Sequence, residues 1–232
     1  SKWFLEQAAE AASKVMGKHS LYTGNTLGLA SKATRASYRE YFILEDAEDS
    51  ETILSRRYSV ALLIRHGIQF NMKNGRHSAT ARFVNHYLQA DGTPIQNRAG
   101  WQTLSYRDAF KNRDPRMEQT LHGPTYVAYQ EKNHEMMTFD RNLSGYRVIK
   151  FISSTDHENS TTSTTDYPIL RYAEVLLNYA EAKAELGTLT ADDLAKTINV
   201  IRACVGMPGL TAVPTEADVL MKEYYPNAKG EQ

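Results

Sequence analysis

Glu174 and Glu181 are the side chains of this 232-residue chain that most invite a catalytic reading. Two carboxylates flanking a glycosidic bond can serve as general acid and as base or nucleophile. Seven residues apart on a helix, they share a face but stand roughly 10 Å apart along its axis. That is at or beyond the upper edge for an inverting pair. Arg171, three residues before Glu174, offers an ion partner instead, so both glutamates are read as scaffold. The seven histidines do not cluster, and there is no H-E-x-x-H, no C-x-x-C and no imidazole pair at i,i+4. No G-x-S-x-G elbow, Walker loop or dinucleotide fingerprint occurs. Cys204 stands alone beside Ile201 and Val205, where it reads as a small buried hydrophobe. Neither catalysis, nor a metal, nor a cofactor is expected.

Binding is better represented. Tyrosine, at 14 residues, joins an apolar ring to a polar tip, although most tyrosines pack and hydrogen-bond within a fold. Ala61–Thr80 is irregular, punctuated by Gly67 and Gly75, and reads mostly as a long loop of the kind that carries function. His66, Gln69, Phe70, Asn71, Lys73, Arg76 and His77 put donors and an aromatic face there.

The elements around these residues follow from periodicity. Ser1–Met16 reads as an amphipathic helix with Phe4, Ala8, Ala11 or Ala12, and Val15 on one stripe, Ser1 as cap and Gly17 as stop. Thr34–Leu44 is a shorter helix, Glu45–Glu51 a solvated acidic turn without calcium-loop spacing, and Thr52–Tyr58 a strand. Phe83, Val84, Tyr87 and Leu88 make a short helical face. Asp114, forced out of the α region by Pro115, fixes a turn and can pair with a flanking arginine. Thr125–Gln130 and Gly145–Ile152 read as extended, and Ser153–Thr165 as a mobile surface loop. Asp166–Gly209 is a helical hairpin. Its first helix carries Pro168 in the first turn, the stripe Leu170, Ala173, Leu177, Ala180 and Ala184, and Gly187 as stop. Thr190 and Asp193 form a capping box, and Leu194, Ile198, Ile201 and Val205 make the second stripe. The tail 210–232 has no clear period. Lys plus Arg balance Asp plus Glu at 27 each, which gives no electrostatic argument for nucleic acid or an anionic membrane. No apolar run approaches the roughly 20 residues that span a bilayer.

The string P-I-L-R-Y-A-E-V-L-L-N-Y-A-E-A from Pro168, followed by I-N-x-I-R-x-x-V-G-M-P from Ile198, resembles the SusD/RagB family. Further phrases occur in family order: G-x-x-x-L-Y at Gly17–Tyr22, T-x-x-F-V-x-x-Y-x-x-x-D-G from Thr80, N-R-D-P-R at Asn112–Arg116 and G-Y-x-x-x-K-F from Gly145. The resemblance implies a mainly α fold of tetratricopeptide-like hairpins, with a long loop-rich region and a few short strands. On that pattern 1–45 is a helical repeat portion, 46–165 the irregular ligand-binding region, 166–209 the hairpin and 210–232 an irregular tail. The chain covers about half of a usual member, as an internal or C-terminal-half fragment.

The resemblance also implies a function. A member captures oligosaccharide, or a peptide, on the bacterial outer surface and hands it to a SusC-like TonB-dependent transporter. Its membrane attachment is a lipid anchor, for which this chain has no cysteine at its start. Sugar recognition needs aromatic faces for the C–H side of each ring and polar groups for the hydroxyls. Trp101, Tyr87, Tyr106 and Phe70 are the candidate platforms, with Asn71, Arg76 and His66 as polar partners. Trp101, in a polar connection beyond Gly100, ranks first, with a core or transporter-interface role as its alternative. The family motif does not fix ligand residues. A purely structural protein–protein repeat module is the competing class.

Overall fold

The computed structural model describes residues 2–29, 37–75, 77–159, 161–216 and 218–226. Its regular elements run in the order α1 (Lys2–Val15), α2 (Ser37–Tyr41), β1 (Thr52–Arg56), α3 (Ile68–Asn74), α4 (Ala81–Asn85), α5 (Tyr106–Ala109), α6 (Pro115–Thr120), β2 (Tyr167–Arg171), α7 (Tyr172–Glu185), α8 (Ala191–Lys196), α9 (Ile198–Cys204) and α10 (Val219–Tyr224). The architecture is mainly α, with long irregular connections between the helices and one two-stranded antiparallel sheet.

The hairpin is built largely as its pattern dictates. Gly187, at φ +66°, follows the C-terminus of α7, where a left-handed residue is cheapest as glycine. Thr190 caps α8 by accepting from the Asp193 amide, and the Asp193 carboxylate accepts from the Thr190 amide in return. Thr190→Ala is expected to cost about 1 kcal/mol, a fall in melting temperature of roughly 2–4 °C. An unchanged melting curve would mean the box contributes nothing. Alanines let helices approach, but the most extensive partner of α7 is α1, with α8 and α9 touching it less. The Tyr172 hydroxyl accepts from the Gly17 amide at the end of α1.

Several expectations are corrected. Pro168 and Leu170 belong to β2, where Leu170 pairs with Leu54 and Pro168 with Ser55, so the helix starts at Tyr172. The partner strand lies far away in sequence, and no local period reveals it. With the later start the buried stripe is Tyr172, Ala173, Leu176 and Ala180, while Leu177 is exposed. The second helix is broken at Thr197, whose hydroxyl donates to the Asp193 carbonyl at 2.6 Å and competes with helical hydrogen bonding. Ala61–Thr80 contains α3, and the tail contains α10, capped by Asp218. The segments 125–130 and 145–152 join only isolated bridges. Ser153, Ser154, Ser163, Thr164 and Thr165 are buried, so the two ends of 153–165 run through the interior, while Thr155, Asp156, Asn159 and Thr161 between them are exposed. The buried hydroxyls find partners such as Gln69 and Glu45. Glu51 is likewise buried, accepting from the Tyr22 amide and pairing with Arg171 at 2.9 Å. Burial holds its pKa above the usual carboxylate value.

Asp114 fixes its turn as read. It caps α6, accepts from the Arg116 amide and pairs with the Arg116 guanidinium. The other flanking arginine, Arg113, turns inward and donates to the carbonyls of Ala109, Val84 and Tyr87 at 3.0, 2.9 and 2.7 Å. It thereby ties α4 and α5 around the cluster of Val84, Phe110, Met117 and Leu121.

Candidate functional site

A cavity of about 290 Å³ opens where three irregular segments meet. Its walls are Tyr126, Ala128, Tyr129, Glu131, Asn133 and Glu135 from one loop, and Arg147, Ile152, Ser153, Thr155 and Glu158 from another. Lys73 of α3 completes it. The first loop folds back on itself through the Val127–His134 bridge, helped by the Glu135 amide donating to the Tyr126 carbonyl at 3.1 Å. Gln130, at the tip, takes φ +70°. Tyr126 roots the loop in a cluster with Ile149 and Ile152, and the Arg39 guanidinium lies 4.9 Å from its ring centre. Tyr129 packs against Leu29 and Ile43 and also lines the cavity.

The polar wall is fixed by specific bonds. Arg147, only 6% exposed, pairs through Nη1 with Glu135 at 3.0 Å and donates through Nη2 to the Lys73 carbonyl at 3.1 Å. Lys73 pairs with Glu158. Ser153 gives its hydroxyl to Gln69 Oε1 at 2.7 Å, which ties α3 to the second wall. His122 sits behind the first loop with Nε2 against the Glu135 carbonyl, and burial lowers its pKa, favouring the neutral ring. Arg147 Nε is buried behind this wall with no protein acceptor. Glu131 takes part in no ion pair and Asn133 in no side-chain hydrogen bond among the described residues. An aromatic face beside free donors and acceptors can hold a ring bearing hydroxyls.

Other cavities are spent differently. A cleft of about 530 Å³ runs along the Asn112–Arg116 motif, yet Arg113 and Asp114 there hold the backbone. A 260 Å³ pocket between α2, α7 and α9 contains Tyr22, Tyr41 and Arg171. Their polar ends are taken by Glu40, Thr52 and Glu51.

None of the six described residues among the seven singled out from the sequence lines the 290 Å³ cavity. Tyr87 and Tyr106 both pack against the Val84–Leu121 cluster, and the Tyr106 hydroxyl donates to the His122 carbonyl. Burial raises the Tyr87 pKa to about 12. His66 lies edge-on to Tyr58 at 4.3 Å; its Nε2 faces the Thr165 carbonyl and its Nδ1 accepts from the Ile68 amide. Phe70 and Asn71 are exposed on α3, and Trp101 is half-buried in a 3-10 turn, Trp101–Thr103, after Gly100 at φ +69°. Ser1 and Arg76 lie outside the described residues. Among the described donors noted in 61–80, Lys73 alone reaches the cavity. The residues 126–158 signalled it weakly: Tyr126, Tyr129, Asn133 and three glutamates fall in a segment without hydrophobic period. Glu174 and Glu181 are exposed on α7, and Arg171 pairs with Glu51 rather than Glu174.

Residues 66–224 match the model of a family described as the SusD family. The chain is also similar to a SusD-like carbohydrate binding protein from Bacteroides fragilis, at 21% identity and a TM-score of 0.63. That match covers 90% of this chain and 43% of the other. A second SusD-like protein from Bacteroides fragilis is 24% identical with a TM-score of 0.58, over 95% of this chain and 47% of its own. A SusD superfamily protein from Parabacteroides distasonis is 18% identical with a TM-score of 0.51, over 97% and 43%. These likenesses show the fold, and the chain spans less than half the length of each structure. A search of curated proteins finds no match.

Proposed function

Because this chain belongs to the SusD family, we propose that it takes part in non-enzymatic capture of oligosaccharide nutrients at the bacterial cell surface. On this reading the ligand is passed to a SusC-like TonB-dependent outer-membrane transporter. The protein is held at the outer membrane by a lipid anchor; no described helix is long and apolar enough to cross a membrane. The irregular region 46–165 carries the ligand and the hairpin 166–209 is scaffold. The observation that supports the proposal is the 126–158 cavity, whose lining brings together Tyr129, Glu131, Asn133 and Arg147. Phe70, Asn71 and Trp101 are proposed as outer contacts on a longer ligand.

Screening the intact protein against oligosaccharides and short peptides tests this, with products analysed after incubation. Saccharide binding without turnover is expected. Binding to peptides alone would move the ligand class to the peptide-capturing side of the family, and turnover would overturn the non-enzymatic claim. A second reading, a protein–protein repeat module, is favoured by one feature. The groove between α1 and α7 is lined by Leu5, Ala8, Val15 and Val175, and Trp3 and Phe4 of α1 are exposed. Retained transporter association with no binding of saccharide or peptide would select it.

A further inference from the structure

Resting on the saccharide reading above, we infer that the 126–158 cavity selects neutral, hydroxyl-rich rings over acidic ones. Both cations on its wall are already matched, Arg147 by Glu135 and Lys73 by Glu158. A third, Arg39, lies behind the Tyr126 ring and is not part of the wall. Glu131, by contrast, lines the cavity without a cationic partner among the described residues. An entering carboxylate or sulfate would thus surrender its hydration, find no uncommitted cation and face one uncommitted carboxylate.

The spare hydrogen-bonding capacity has the same preference. A carboxylate is best held by a guanidinium through two parallel N–H groups. In Arg147 one N–H of Nη1 already holds the Glu135 carboxylate and one N–H of Nη2 the Lys73 carbonyl, so an entering carboxylate would compete with Glu135 for the same charge. Glu131 can accept from a neighbouring hydroxyl, and Asn133 can both donate and accept. The volume, about 290 Å³, lies at the lower edge of the roughly 300–1,000 Å³ typical of ligand pockets, so a short saccharide segment fits.

Calorimetric titration of the intact protein with neutral hexose oligosaccharides and hexuronate oligosaccharides of matched length tests the inference. Neutral ligands are expected to bind at least about tenfold more tightly at low salt, with the ratio shrinking as ionic strength rises. Glu131→Gln is expected to narrow that ratio by about threefold, since it keeps the side-chain shape and removes the charge. Equal or tighter binding of the uronic series would overturn the selectivity while leaving the saccharide reading intact. A ratio indifferent to Glu131→Gln would overturn the assignment of selectivity to this wall. Absence of binding in both series would remove the saccharide reading and this inference together.

Discussion

Replacing Arg113 with methionine is expected to destabilise the chain by about 4 kcal/mol, a drop of roughly 8–16 °C in melting temperature. Arg113 is only 7% exposed, and burial depresses its pKa, yet its guanidinium faces main-chain carbonyls rather than a carboxylate. Asp114, the adjacent acid, is taken by Arg116. Methionine fills much of the same space but leaves the carbonyls of Tyr87 and Ala109 without their donor, while that of Val84 keeps the Tyr87 amide at 3.2 Å. Each buried unpaired group costs about 1–3 kcal/mol. Lysine keeps the charge but lacks the planar fork, so Arg113→Lys is expected to recover only part of the loss. Thermal unfolding followed by circular dichroism reads both. A shift below about 2 °C for the methionine variant would mean that these carbonyls are satisfied some other way.

Tyr129→Ala is expected to weaken oligosaccharide binding by at least about tenfold, or 1.4 kcal/mol, beside a fall of several degrees in melting temperature from lost packing on Leu29 and Ile43. The ring is held on one side by Leu29 and Ile43, so it meets a ligand without a large ordering cost. Its removal takes away an apolar face and opens the cavity to water. Trp101→Ala is expected to cost less, because Trp101 does not line this cavity. Affinities from titration calorimetry decide between them. The reverse order, with Trp101 the more costly loss, would relocate the site to the connection that follows Gly100.

The fold was legible where chemistry is local. The Thr190–Asp193 box, Gly187 after α7, Gly17 after α1 and the turn at Asp114–Pro115 each follow from residues within a few positions of one another. What escaped was set at long range. Tyr167–Arg171 is a strand because Thr52–Arg56 pairs with it, although its own sequence runs straight into a helical pattern. The Ser- and Thr-rich stretch 153–165 reads as surface by composition, and its middle is, but at its ends Gln69, Glu45 and His66 supply partners that let Ser153, Thr164 and Thr165 be buried.

The candidate site was less legible for the same reason. Tyr87 and Tyr106 carry the residue type of a sugar platform, and a cluster that adds Met117 and Leu121 to their near neighbours Val84 and Phe110 claims their rings. The cavity instead joins α3 to two loops that neither periodicity nor a motif marks. Lys73 and Arg147 meet there because the Arg147 guanidinium reaches the Lys73 carbonyl, a contact across 74 positions.

The central claim is that the 126–158 cavity holds a saccharide ring, and a crystal structure of the intact protein with a bound neutral oligosaccharide tests it most directly. The account predicts a ring against Tyr129, with hydroxyls meeting Asn133 and Glu131. A saccharide seated elsewhere, touching none of these three, would contradict the account.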